Sequence, residues 1–165
     1  MIKLVDICKK FNPGTVNETT LFDHFNFSVN PGDFISVVGS NGSGKTTLLN
    51  LICGTINPDS GKIYIGGTDV TGKSDYVRYR KIGRVYQNTA FGTCADMNVF
   101  ENMSLADNKG KPFGLSAGVN KKSFDRYREM LSRLGLGLED KMYVKVGALS
   151  GGQRQAMSLL MAVMT

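Results

Sequence analysis

Gly39-Ser-Asn-Gly-Ser-Gly-Lys-Thr46 fits a phosphate-binding pattern: a glycine, any four residues, then Gly-Lys and a serine or threonine. The run Phe34-Ile-Ser-Val-Val38 before it is nearly all apolar, which predicts a central strand buried on both faces. The residues after it predict a helix from about Lys45 to Cys53, closed by Gly54 in the left-handed conformation. The sequence thus predicts a buried strand, a glycine-rich loop and a helix in succession. A phosphate-binding loop occurs in this context, so the succession argues against a chance match to the pattern.

The composition of this loop suits the triphosphate of ATP and its Mg²⁺. Glycines let the backbone approach closely enough to point several N–H groups at phosphate oxygens, and the helix N-terminus adds partial positive charge. Lys45 supplies a full charge to the β- and γ-phosphates, and the Thr46 hydroxyl can bind Mg²⁺. The predicted nucleotide contacts in this segment are Gly39, Ser40, Asn41, Gly42, Ser43, Gly44, Lys45, Thr46 and Thr47.

A second predicted anion site is the segment Leu149-Ser-Gly-Gly-Gln153 at the start of the last helix. Ser150 is a natural N-cap, and two glycines leave the backbone amides at this helix N-terminus uncovered. A plain capped helix start is the alternative, but a phosphate loop in the same small chain argues for a ligand. The predicted contacts are Ser150, Gly151, Gly152 and Gln153.

Together, the two motifs resemble those of the nucleotide-binding domain of ABC ATPases, in which Leu-Ser-Gly-Gly-Gln is the signature. The resemblance covers the whole chain and implies an α/β fold of the P-loop NTPase, ABC ATPase type. Such a fold has a mostly parallel core sheet, an N-terminal antiparallel β portion and a helical subdomain. We therefore expect a P-loop core with the β portion at 1–87, a helical subdomain at 88–148, and the signature with its helix at 149–165.

The resemblance also assigns roles outside the two motifs. Gln87 matches the glutamine that contacts Mg²⁺ and the attacking water, so it is expected to be both a catalytic residue and a metal ligand alongside Thr46. Phe11 lies where the family places an aromatic ring against adenine, although it could equally be a core residue. The stretch Lys145 to Ala148 resembles the loop that touches the transmembrane partner.

The implied function is that of an ATP-binding, ATP-hydrolysing subunit that energises a transporter. The segments 11–18, 83–87 and 134–140 resemble a bacterial group of import ATPases paired with substrate-binding proteins, some of them assigned to aromatic amino acids. The expected partners are a transmembrane permease subunit, a substrate-binding protein and a second copy of the chain, which would enclose ATP in a sandwich dimer. The expected location is the cytoplasm, on the inner face of the cell membrane.

Two alternatives remain open at this level. One is an ABC ATPase without a transporter, which long coiled-coil insertions or tandem domains would mark; neither is present in the 165 residues. The other is a generic P-loop nucleotide-binding protein or kinase, which would have no use for residues 149–153.

Bulk properties exclude several other classes. The net charge of +6 would suit a nucleic-acid binder, but the basic residues are spread along the chain and do not interleave with aromatics, so no nucleic acid is expected. Three scattered cysteines form neither a metal-spaced pair nor a disulfide framework, which fits a reducing compartment. The N-terminus lacks a signal-peptide pattern, and no apolar run approaches the roughly 18 residues of a membrane span.

One element of the family pattern is missing after the signature. The family requires a hydrophobic strand ending in Asp-Glu, in which the aspartate holds Mg²⁺ and the glutamate polarises water. No such strand follows Gln153, and the single histidine, His24, precedes the phosphate loop and cannot sense the γ-phosphate. We therefore expect a C-terminally truncated chain that does not hydrolyse ATP.

The remaining patterns predict secondary structure. Strands are expected at Ile2 to Ile7, Asn26 to Val29, Lys62 to Ile65 and Ile82 to Tyr86. An amphipathic helix is expected from Lys121 to Leu134, with Phe124, Tyr127, Leu131 and Leu134 on its apolar side. The last helix should pack against the core through an apolar side made of Met157, Leu160, Met161 and Met164.

Overall fold

The computed structural model describes residues 1–111 and 118–164, which form two compact units, Met1–Ile82 and Gly83–Thr165. This partition differs from the predicted boundaries after residues 87 and 148, which remain predictions. Part of the predicted middle segment, residues 112–117, lies outside the described residues. Each unit has its own cluster of buried apolar side chains.

The first unit is a four-stranded antiparallel sheet with two helices. The strands are β1 (Ile2–Phe11), β2 (Thr19–Val29), β3 (Ser60–Ile65) and β4 (Thr68–Asp69), in the order β2-β1-β3-β4. The helices are α1 (Lys45–Cys53) and α2 (Asp75–Tyr79). The core consists of side chains from the sheet, from α1 and from Val70 directly after β4: Leu4, Ile7, Leu48, Leu51, Ile52, Ile63, Ile65 and Val70.

Helix α1 has the predicted bounds, and Gly54 ends it at φ 83° in the left-handed region, as predicted. The strands at β1, β2 and β3 are also confirmed, although the first two are longer than their apolar runs suggest. Cross-strand pairing extends them through polar residues, because the backbone ladder continues to Phe11 and Thr19 whatever the side chains are.

Two predicted strands are absent. Residues 34–38 form no strand, and Phe34 and Val38 are 99% and 86% exposed instead of buried. Residues 82–86 likewise form no strand, and an added Cβ on Gly83 would lie 2.1 Å from the Ala162 carbonyl oxygen of the last helix. An apolar run becomes a strand only when another strand accepts its backbone hydrogen bonds. The strand ladders of the described residues include neither run, and the sheet that they form is antiparallel throughout.

The second unit is helical. Its main helices are α3 (Val99–Asp107), α4 (Phe124–Ser132) and α5 (Gly151–Val163), with short 3₁₀ turns at Thr89–Phe91, Lys121–Ser123 and Val146–Ala148. Asn98 caps α3 in a reciprocal pair of hydrogen bonds with Glu101, which sets where that helix begins.

The two predicted apolar faces of this unit are confirmed. Tyr127 and Leu131 of α4 are fully buried, and Phe124 and Leu134 pack against the same cluster. On the last helix, the methionine-rich side packs into this core as predicted, with Met157, Met164, Leu160 and Met161 in the cluster or against it. No described helix combines the length and the apolar composition that a membrane span requires.

Candidate functional site: the phosphate loop and the signature segment

The loop from Gly39 to Gly44 is shaped by a turn and by two left-handed glycines. The Ser43 N–H donates to the Ser40 carbonyl at 3.2 Å, while Gly42 and Gly44 have φ of 84° and 92°. A side chain at Gly39 would collide with the Ser43 hydroxyl, because an added Cβ would lie 2.6 Å from Oγ. Glycine at these positions is therefore what permits the tight curvature of the loop.

The loop runs directly into α1, whose first turn presents backbone donors. The helical hydrogen bonds of α1 begin at Leu48, whose N–H donates to the carbonyl oxygen of the N-cap residue Gly44 at 2.8 Å. The amides of Lys45, Thr46 and Thr47 have no acceptor among the described residues. Such amides, together with the helix dipole, favour an anion at this end of the helix.

Lys45 bends back over the loop. Its Nζ donates to the carbonyls of Gly39 and Ser40, both at 2.7 Å. The third N–H of the ammonium group makes only a long contact, 3.5 Å, with the Ser43 hydroxyl, and an incoming phosphate oxygen could replace that contact. The lysine is thus held at the loop by the backbone, with its charge above the loop that the sequence predicts to bind phosphate.

The donor set fits a triphosphate with its magnesium ion. Gly42 opens onto empty space, with no atom within 4 Å of an added Cβ, and the side chain of Thr46 is exposed. A hydroxyl oxygen is the hard ligand that Mg²⁺ prefers, and this ion usually completes its shell with phosphate oxygens and water. Thr46 could therefore supply one protein ligand.

The signature segment is a capped helix start. Ser150 Oγ accepts the Gln153 N–H at 3.3 Å, and Gln153 Oε1 accepts the Ser150 N–H at 3.3 Å. The predicted N-cap is confirmed. The reciprocal half was not predicted, although a glutamine three residues after a serine cap is the signal for it.

Gln153 is anchored further by the loop between α4 and α5. Its Nε2 donates to the Leu136 carbonyl at 3.0 Å, and Lys141 Nζ donates to its Oε1 at 3.3 Å. Both ends of the amide are therefore engaged inside this unit. The structure gives Gln153 a positioning role at the helix start, and its predicted contact with nucleotide remains a prediction.

Gly151 and Gly152 are exposed, and no atom lies within 4 Å of an added Cβ on either. Neither has the positive φ that would require glycine. Internal packing of the described residues therefore does not explain why two glycines stand here. A surface that must be approached closely by another molecule would explain it.

The other predicted site residues lie on the surface. Phe11 ends β1 at 38% exposure, with Lys9 Nζ 5.7 Å from its ring centroid, so its ring is accessible for stacking. Gln87 is exposed and lies in a bend, not at the end of a strand as predicted. In the segment 145–148, Lys145 is exposed while Val146 is fully buried. Their predicted roles are untested by these positions.

Sequence reasoning missed Arg78, which is fully buried next to the end of α1. Its guanidinium donates to carbonyl oxygens of Leu51 and Ile52, at 2.6 and 3.4 Å. A single arginine in a five-residue helix gives no sequence signal for burial.

Comparison with known proteins places this geometry in a family. The chain is 38% identical over 162 residues to a tyrosine transport ATP-binding protein of Clostridioides difficile, an alignment that covers 98% of this chain and 64% of that protein. It is 32% identical to the methionine import ATP-binding protein MetN of Corynebacterium glutamicum, with 96% of this chain and 42% of the relative covered. The chain thus spans less than two thirds of the length of both relatives.

The fold has solved counterparts. A dimeric structure of a post-hydrolysis state of an ATP-binding cassette, bound to ADP and Pi, superposes with a TM-score of 0.77. That structure is 27% identical, and the match covers 99% of this chain and 69% of the other. The likeness confirms the predicted ABC ATPase type of P-loop NTPase fold.

The family model described as ABC transporter matches residues 22–165, which include both the phosphate loop and the signature segment. With the two motifs, the fold and the relatives in agreement, the chain belongs to the ABC transporter family.

Proposed function

We propose that this chain binds ATP with Mg²⁺ at the loop Gly39–Thr47. The observation that carries the proposal is the presence, in one short segment, of unused backbone amides at the start of α1 and of the Lys45 ammonium, which lies 2.7 Å from two loop carbonyl oxygens. Phosphate oxygens would take up these donors, and Thr46 would bind the metal ion. The ring of Phe11 would stack on adenine.

We further propose that the nucleotide is shared between two copies of the chain. Gly39–Thr47 of one copy and Ser150–Gln153 of the other would contact opposite sides of the same triphosphate. The capped but uncovered start of α5 supports this arrangement, because its two glycines leave space where a phosphate could approach the backbone. The solved relative with ADP and Pi is dimeric.

In the assembled protein, binding and hydrolysis of ATP would drive transport of a small solute, such as an amino acid, in the import direction. This rests on the names of the relatives, which include tyrosine transport and methionine import proteins. The partners would be a transmembrane permease, contacted through Lys145–Ala148, and a substrate-binding protein, with the chain on the cytoplasmic face of the membrane. Gln87 would position Mg²⁺ and the attacking water.

For the 165 residues alone we propose binding without turnover. The twelve residues after Gln153 contain no aspartate or glutamate. No carboxylate downstream of the signature is therefore available to polarise the attacking water. A phosphate-release assay on this chain should give the background rate, and turnover above background would show that Gln87 or another group can position water alone.

The deciding experiment is titration of the chain with a fluorescent ATP analogue and Mg²⁺. Lys45→Ala should weaken binding about tenfold or more, equivalent to about 1.4 kcal/mol. Lys3→Ala is the matched control, since Lys3 is an exposed lysine of the same unit, on β1. Equal affinities for wild type and Lys45→Ala would contradict the proposed role of the loop.

A further inference from the structure

The outer edge of the sheet contains an irregular stretch of the β1–β2 ladder. The register shifts three times, between Leu4 and Ile7, between Ile7 and Lys9, and between Lys9 and Lys10. Two non-glycine residues there adopt left-handed backbone, Asp6 at φ 56° and His24 at φ 49°. Each such residue costs on the order of 1 kcal/mol or more, and bulges of this kind re-aim side chains.

The side chain of Asn26 holds the two irregular residues together. Its Oδ1 accepts the Asp6 N–H at 3.0 Å, and its Nδ2 donates to the His24 carbonyl at 2.9 Å. One amide thus bridges the bulge from β2 to β1 and fixes the backbone of both residues. The irregular backbone at the bulge is therefore held in place by specific hydrogen bonds.

The bulge brings three different metal-binding groups together. One ligand atom each from Cys8, Asp23 and His24 lies within 4.8 Å of the others. Zinc ligands at about 2.0–2.3 Å from a shared ion are roughly 3.5 Å apart, so small rotations of these side chains would close the site. Asp23 and His24 are exposed and Cys8 is half-buried, which leaves the group accessible from solvent.

Surrounding groups prepare two of these ligands. The Asp6 carboxylate lies 2.6 Å from His24 Nδ1, the arrangement by which metal-bound imidazoles are commonly oriented. The His24 backbone N–H in turn donates to Cys8 Sγ at 3.5 Å, which holds the thiol next to the imidazole-bearing residue.

We propose that Cys8, Asp23 and His24 form a binding site for a divalent transition-metal ion, with Zn²⁺ as the best match. Asp6 and Asn26 act as positioning residues. A thiolate, an imidazole and a carboxylate are the donor types that zinc takes, and three protein ligands leave a fourth position for water. The site shares no residue with the loop Gly39–Thr47 and needs no nucleotide.

The test is titration of the 165-residue chain with Co²⁺ alone, followed by displacement with Zn²⁺. In the wild type, a near-ultraviolet charge-transfer band should grow until one equivalent of Co²⁺ has been added. Such a band requires a thiolate ligand, and it should vanish when Zn²⁺ displaces the Co²⁺. Cys8→Ser should abolish the band, while Cys94→Ser, which removes an exposed cysteine elsewhere, should leave it unchanged.

Three further variants test the other ligands and a positioning residue. His24→Asn removes the imidazole but suits a left-handed backbone, and Asp23→Asn changes only an exposed side chain. Each should weaken Co²⁺ binding about tenfold or more with an unchanged circular dichroism spectrum. Asn26→Ala should weaken it to a similar extent without removing a ligand.

Three outcomes would overturn the proposal. The first is a charge-transfer band that survives Cys8→Ser, and the second is a band lost in Cys94→Ser. The third is equal Co²⁺ affinity in wild type, His24→Asn and Asp23→Asn. Because the probe is the metal alone, the two proposals can fail independently. A negative Co²⁺ titration would not contradict nucleotide binding at Gly39–Thr47, and a chain that binds no nucleotide could still bind Co²⁺ at this site.

Discussion

The Arg78 guanidinium donates to the Leu51 carbonyl at 2.6 Å and so caps the end of the helix that begins at the phosphate loop. A second bond reaches the Ile52 carbonyl, and Nε donates to the Lys73 carbonyl at 3.2 Å. Orphan carbonyls at the end of a helix need donors, and a cation there also suits the helix dipole. The buried cation therefore stabilises the helix that carries Lys45 and Thr46.

Replacing Arg78 with methionine should destabilise the first unit. The change keeps much of the apolar stem but leaves buried carbonyl oxygens without donors, at a cost of about 2–4 kcal/mol. Thermal unfolding followed by circular dichroism would measure it. Arg80→Met is the control: Arg80 is exposed and contacts mainly the Tyr76 ring and hydroxyl, so its loss should cost less than about 1 kcal/mol. Equal losses in the two variants would contradict the capping role.

Gly54→Ala should also destabilise the chain, through two separate effects. Gly54 has φ of 83°, and an added Cβ would lie 2.6 Å from Arg78 Nε. The backbone strain alone costs about 1 kcal/mol, and displacement of the buried guanidinium adds to it. Gly72→Ala isolates the strain, because Gly72 has φ of 69° and no atom within 4 Å of an added Cβ. Gly54→Ala should therefore lower the unfolding temperature more than Gly72→Ala does, and an equal effect would mean that Arg78 moves aside freely.

Local signals in the sequence were sufficient for the two motif-bearing helices. The phosphate loop, the left-handed Gly54 and the Ser150 cap depend on residues within a few positions of each other, so their patterns can be read directly. The exposed run at 34–38 could not be read in this way, because burial of a strand depends on partners that no local pattern reveals.

Distant contacts account for the other omissions. Arg78 is buried by carbonyls from residues 51 and 52, which are far from it in sequence. Cys8 and His24 meet on two different strands, where the β1–β2 ladder shifts register, and their spacing in the sequence matches no metal motif. Such relationships need the three-dimensional structure.

Acid should weaken the second unit through Asp107, the last residue of α3. Burial alone would raise the pKa of Asp107, but hydrogen bonds from Arg126 and Tyr127 outweigh it and lower the pKa below its usual value. The ionised carboxylate therefore stabilises the fold above about pH 4, and this contribution is lost as pH falls further through the folded-state pKa.

The measurement is thermal stability from pH 7 down to about pH 2. Asp107→Asn should lower stability at neutral pH and flatten this part of the acid dependence, because the amide cannot ionise. Asp96→Asn changes an exposed carboxylate of the same unit and should retain the wild-type profile. An unchanged acid slope in Asp107→Asn would show that other carboxylates dominate.

The exposed apolar run at 34–38 should make the chain self-associate. Phe34 and Val38 are 99% and 86% exposed, and no described strand pairs with their backbone. An apolar, β-prone segment with unpaired backbone groups is a template for strand addition by a second copy. Sedimentation should show concentration-dependent oligomers, and a hydrophobic dye should fluoresce with the chain.

Phe34→Ser with Val38→Ser should reduce both signals. Val16→Ser is the matched control, because Val16 is also fully exposed but lies alone in a turn between β1 and β2. A monomeric, dye-silent wild type would mean that the run is covered in solution.

The signature segment offers the sharpest separation of folding from function. Ser150→Arg should block the proposed approach of a second copy's nucleotide, because it places a large side chain at the exposed start of α5. Arginine also removes the cap, so Gly151→Ala is needed beside it. An alanine methyl there meets no atom within 4 Å, and alanine favours a helix, so this variant should fold at least as stably as wild type. Gly118→Ala, where an added Cβ also meets nothing, is the control for added methyl groups.

If the start of α5 contacts phosphate across a dimer, Ser150→Arg and Gly151→Ala should retain binding of the ATP analogue at Gly39–Thr47. Both variants should reduce the ATP-dependent rise in dimer fraction, measured by light scattering. For Gly151→Ala we expect the association constant of the dimer to fall about tenfold. Loss of binding and of dimer formation together would place the segment on its own copy's nucleotide and contradict the shared site.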